Sequence, residues 1–149
     1  MDVMQVEDSL GVTVCRRQPL VIERGEGVLV WDQHGNQLLD FTSGWGVTCL
    51  GHAHPVMLSA LASQAGRIMQ NPNSGFTYSP ARARLLLELR QVLPAGLQRV
   101  YFANSGAEAN DAALKLARKI TGRQRVVAVQ GSFHGRTLAT LSVSGNTHN

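Results

Sequence analysis

The stretch RVYFANSGAEANDAALKLARKITGRQRVVAVQGSFHGRT (Arg99–Thr137) decides the fold. Within its first five residues, Arg99–Ala103, Val100, Tyr101 and Phe102 are of the β-branched and aromatic types that a short strand favours. Asn104-Ser105-Gly106 then interrupts the run, and Ala109, Ala112, Ala113, Leu116, Ala117 and Ile120 recur at the spacing of one buried helix face. Thr121-Gly122-Arg123 ends that helix, and Arg125–Gln130 is a continuous apolar run suited to a strand covered on both sides. The order strand, helix, strand predicts a βαβ unit whose right-handed crossover makes the strands parallel.

Two loops then stand at the carboxyl ends of the expected strands, the rim where open α/β sheets bind ligands. In the first, Ser105 and Glu108 have the spacing of a capping box, with the Ser105 hydroxyl accepting from the Glu108 N–H and the carboxylate reaching back. The same turn suits an anion cradle, since a helix start offers free N–H groups and positive potential, and Gly106 lets a ligand approach. Both readings remain open, because a cap uses only some of the free donors. The second loop, Phe133–Thr137, places an aromatic ring, His134 and Arg136 on the same expected rim. Each of these also has an ordinary reading, as a packing residue or a surface charge.

Toward the N-terminus the pattern is different. Pro19–Arg24, Gly27–Asp32 and Gln37–Phe41 read as short strands, the last two joined through Gln33–Asn36 as a hairpin. Thr42–Gly46 is glycine-rich and closes this part. His54-Pro55 opens a helix with apolar residues from Met57 to Met69, broken by Asn71–Gly75. Ser79 caps a second helix from Pro80, with a stripe of Leu85, Leu86, Leu89, Val92 and Leu93 ended by Pro94 and Gly96.

The chain has 149 residues, 44% of them hydrophobic and 16% charged, enough for one globular domain that buries most of its surface. The net charge is +4, but the basic residues are scattered and not interleaved with aromatics, which argues against nucleic-acid binding. No apolar run reaches the length of a membrane helix and the first residues lack the order of a signal peptide, so no membrane partner and a cytoplasmic location are expected. Cys15 and Cys49 are too few for a disulfide framework. Cys49, His52 and His54 lack the second ligand pair of a zinc site, so no metal is expected. Neither a nucleophile-elbow nor a Walker pattern occurs.

Phe102–Arg123, Gly131–Thr137 and Asp32–Pro55, in that spacing, resemble the class III aminotransferases, enzymes dependent on pyridoxal 5′-phosphate. The resemblance covers about residues 19–145 and implies an α/β protein of fold type I, a large domain with a mostly parallel sheet. Residues 1–45 would form an N-terminal arm or small-domain segment and residues 46–149 the start of the large, cofactor-binding domain. Carried over by position, Ser105, Gly106 and Ala107 would hold the cofactor phosphate, and Phe133 would stack on its ring. Arg136 would bind a substrate carboxylate, for which its planar fork is suited, and Trp45 would lie against the substrate. The resemblance further implies a homodimer acting on an ω-amino donor of the acetylornithine, ornithine or 4-aminobutyrate type, with 2-oxoglutarate as acceptor. A glutamate-1-semialdehyde-type aminomutase is the neighbouring alternative; a non-enzymatic α/β module binding a phosphate ligand is the more distant one. The family's Schiff-base lysine matches no position here. Lys115 and Lys119 stand four apart on the helix as surface charges, so these residues alone are expected to be inactive.

Overall fold

A computed structural model describes residues 1–73 and 75–145. It divides into two units, Met1–Thr77 and Tyr78–Asn149.

The first unit begins with α1 (Val3–Leu10), a helix absent from the sequence expectation although Asp2 signals it: its carboxylate accepts from the Gln5 N–H at 3.1 Å. Three strands follow, β1 (Ile22–Glu26), β2 (Leu29–Asp32) and β3 (Gln37–Leu39), in an antiparallel meander of order β1-β2-β3. The register sets Glu26 opposite Leu29, and Leu29 opposite Leu39. The expected hairpin therefore forms, and Asp32 holds its turn: Oδ1 accepts from the N–H groups of His34 and Asn36, and Oδ2 from the Asn36 amide. The Asn36 amide, with the two backbone donors and the nearby His34, holds the Asp32 carboxyl below the usual range despite partial burial. Val30 is buried beside this turn, and the Arg24 guanidinium lies 3.6 Å above the centre of the Trp31 ring.

After β3, the segment α2 (Ser43–Gly46) is a single left-handed turn in which all four residues have positive φ. α3 (Pro55–Ala65) starts at the proline as expected. It stops at Gly66, so Ile68 and Met69 fall outside the helix that their spacing suggested.

The second unit contains α4 (Pro80–Val92), α5 (Gly106–Thr121) and α6 (Leu138–Ser142). Ser79 caps α4 by accepting from the Arg82 N–H at 3.3 Å. α5 ends in a left-handed Gly122, whose N–H donates to the Arg118 carbonyl. Here the sequence expectation needs correction in two ways. Arg99–Ala103 and Arg125–Gln130 join no ladder among the described residues; the sheet contains only β1, β2 and β3. A crossover sets the direction of two strands without making them neighbours, and an unpaired run lacks the hydrogen bonds that define a strand. Secondly, the apolar stripes of α4 and α5 are not buried: Ile120 is 73% exposed, and Val127 in the following run 97%. The chain exposes 13163 Å², where a folded monomer of its mass exposes about 7,400 Å². Periodicity identified surfaces built for burial; burial itself needs an opposing surface.

Candidate functional site

The capping box at α5 is present. Ser105 Oγ accepts from the Glu108 N–H at 3.2 Å, and the Glu108 carboxylate accepts from the Asn104 N–H at 2.6 Å. Ser105 is extended, which aims its hydroxyl back over the first turn. The cap leaves donors over: among the described residues, the N–H groups of Gly106 and Ala107 have no partner. A Cβ built on Gly106 meets nothing within 4 Å. An open, two-donor turn thus heads a 16-residue helix at the positive end of its dipole. Glu108 puts one negative charge in the same turn, directed at Asn104.

The structure brings the second loop to this turn. Gly135 is buried, with φ +134°, and a Cβ there would lie 2.6 Å from the Ala107 Cβ and 2.6 Å from Thr140 Oγ1. Only glycine allows that approach. The Asn110 amide donates to the His134 carbonyl at 2.7 Å, fastening the loop to the next turn of α5. On the far side, Ser144 Oγ accepts from the His134 N–H and donates to the Thr140 carbonyl at 2.9 Å. Thr140 is fully buried, its hydroxyl 2.7 Å from that of Thr137. Polar contacts, rather than an apolar core, set this loop against the helix start.

Of the residues singled out from sequence, Ser105, Gly106 and Ala107 therefore share one turn, and Phe133 and Arg136 flank the glycine seated on it. Phe133 is 63% exposed; Arg136 is exposed and makes no ion pair among the described residues. Trp45 belongs to the other unit and is 99% exposed. Sequence reasoning missed Asn110, Gly135 and Thr140. The glycine between His134 and Arg136 was the available signal, whereas nothing local marks Asn110 as a tether. Two free main-chain donors and an open glycine at a helix start fit a phosphate group.

The relatives of this chain bear on that geometry. The family model for aminotransferase class-III matches residues 13–149. The acetylornithine aminotransferase of Methanothermobacter thermautotrophicus is 42% identical over 146 residues, 97% of this chain and 36% of the relative. A succinylornithine transaminase/acetylornithine aminotransferase of Pseudomonas aeruginosa is 50% identical over 128 residues, 82% of this chain and 30% of the relative. Among solved structures, a transaminase from the marine bacterium Virgibacillus superposes with a TM-score of 0.82 at 27% identity, over 95% of this chain and 35% of that one. The chain spans about a third of the length of the curated relatives it matches. With the match running from residue 13 to residue 149, the chain belongs to the class III aminotransferases, a pyridoxal-phosphate-dependent family of fold type I.

Proposed function

We propose that this chain supplies the phosphate-binding and carboxylate-binding contacts of an aminotransferase. The enzyme would move an amino group from an ω-amino donor of the acetylornithine, ornithine or 4-aminobutyrate type to 2-oxoglutarate, acting as a cytoplasmic homodimer. The observation that supports the reading is Gly135 seated on Ala107, which brings the loop that carries Phe133 and Arg136 against the start of α5. The N–H groups of Gly106 and Ala107 would donate to the phosphate, with Ser105 fixing the turn. Phe133 would cover the pyridine ring, Arg136 would pair with a substrate carboxylate, and Trp45 would contact the substrate. When bound, pyridoxal phosphate supplies an electron sink for the reaction, while the protein supplies orientation and electrostatics. Residues 1–45 serve in this reading as the arm and residues 46–149 as the start of the cofactor domain. Lys115 and Lys119 are exposed on α5 and take no part in the chemistry, so residues 1–149 alone turn over no substrate.

Gly106 offers a specific test. A side chain there enters open space in the protein and fills the volume the phosphate needs. Pyridoxal phosphate at a hundredfold excess over Kd should stabilise the protein by about 2.7 kcal/mol in thermal unfolding. Gly106→Val should leave the unliganded melting temperature unchanged and abolish the shift. Equal stabilisation by a nucleotide, lost in the same variant, would instead support a general phosphate-binding module.

A further inference from the structure

The turn that carries Trp45 is held in a conformation its own residues do not favour. Ser43 and Trp45 have φ of 47° and 68°, and Gly44 and Gly46 are also left-handed. Glycine adopts this region freely but side-chain-bearing residues avoid it, so Ser43 and Trp45 both held there require an external constraint.

Asp40 provides one at the entrance. Its Oδ1 accepts from the Thr42 N–H at 2.8 Å, from the Thr42 hydroxyl at 2.7 Å and from the Ser43 N–H at 3.1 Å. The turn is then closed by the N–H groups of Gly46 donating to the Thr42 carbonyl, and of Val47 and Thr48 donating to that of Ser43. Asp40 is in turn fixed to the sheet. Its N–H donates to the Val28 carbonyl at 2.9 Å, and its Oδ2 lies 2.8 Å from His52 Nε2. His52 and Gly27 exchange two main-chain hydrogen bonds, of 2.8 and 2.9 Å. The imidazole also lies flush on β1: a Cβ on Gly25 would fall 2.6 Å from the ring Cγ. The ring has no room to retreat on that side.

We propose that Asp40 and His52 are positioning residues that hold the strained left-handed turn and thereby fix Trp45 where it meets the substrate. The proposal rests on the reading of Trp45 as a substrate contact given above. Trp45 itself makes no packing contact that would orient it, being 99% exposed. Its backbone is therefore the means of aiming it, and the Asp40 carboxylate, backed by His52, is what sets that backbone.

The test uses an active enzyme that contains these residues, with amide hydrogen exchange and steady-state kinetics measured on His52→Ala, His52→Gln, Gly25→Ala and Trp45→Ala. His52→Ala should accelerate exchange at Gly46, Val47 and Thr48 by about tenfold or more, with the amides of Val30 and Trp31 in β2 unchanged. The same variant should raise KM for the amino donor several-fold with kcat within twofold of the parent. Gly25→Ala, which displaces the ring without altering it, should reproduce both effects, and His52→Gln, still able to donate to Asp40, should restore most of them. Exchange at Gly46–Thr48 left unchanged by His52→Ala would overturn the proposal. So would equal acceleration in β2, which would make the pair a general support of the sheet, or a loosened turn with an unchanged KM. Trp45→Ala with no effect on KM would remove the substrate reading beneath the proposal and the proposal with it. If Trp45→Ala raises KM while His52→Ala leaves the turn intact, only the positioning role fails.

Discussion

Residues 22–52 and residues 99–145 solve the same problem, how to satisfy a short apolar chain, in opposite ways. The first segment is antiparallel, so each strand finds its partner a few residues away, and Asp32, Asp40 and His52 complete the turns with side-chain hydrogen bonds. In the second, two apolar runs flank a helix and neither gains a ladder; order there comes from Asn110, Gly135, Thr140 and Ser144. Hairpin contacts are local and close early, whereas parallel strands depend on remote neighbours. The second segment is also the one whose helix start remains open and whose Phe133 is exposed.

The largest effect should follow from breaking the polar knot of the second segment. Gly135→Val combines backbone strain with a clash against Ala107 and Thr140, a combination expected to cost about 3 kcal/mol. The denaturant midpoint should fall, and binding of pyridoxal phosphate should be lost with it. Normal stability and binding in this variant would mean that the loop does not need to sit on α5.

Arg136→Lys, made in an active enzyme that contains these residues, tests whether the openness of that segment serves a substrate. Loss of one bidentate, charge-assisted contact is worth about 1.5–3 kcal/mol, roughly a 10- to 150-fold rise in KM for a donor with an α-carboxylate. A donor without that group should be nearly unaffected. Equal rises for both donors would assign Arg136 to the fold.

The mildest perturbation is acid, and it should act on the first segment. The Thr42 hydroxyl, and next His52, hold the Asp40 carboxyl far below its ordinary range, so the folded state resists protonation more than the unfolded chain does. The contribution is therefore complete above about pH 4, the unfolded value, and is lost progressively as pH falls below it. Trp31 emission in a Trp45→Phe background should be flat from pH 7 to pH 5 and change only in stronger acid, with Asp40→Asn reducing the change. A transition centred well above pH 5 would assign the effect to another group.

Much of the local structure was legible because its signals are short-range. The Gln33–Asn36 turn, Pro55 at a helix start and Ser79 and Ser105 at caps each depend on partners within four residues. His52 was not legible: beside Cys49 and His54 it suggests a weak metal cluster, and its bond to Asp40 spans twelve residues. In the second segment the capping box and the open donors could be read from Ser105–Glu108, but the seating of Gly135 on Ala107 could not.

The sequence by itself determined the hairpin, the starts of α3, α4 and α5 and the family to which the chain belongs, because caps, turns and hydrophobic periods act over one or two helical turns. Only the tertiary structure decided that Arg99–Ala103 and Arg125–Gln130 lie unpaired among the described residues, that Ser43–Gly46 winds left-handed, and that the loop after Gln130 returns to the α5 start. Each of these depends on what a second segment offers across space: a ladder partner, a carboxylate at the right distance, or room for a glycine and nothing larger. A local pattern states what a segment requires, and the rest of the fold determines whether it is met.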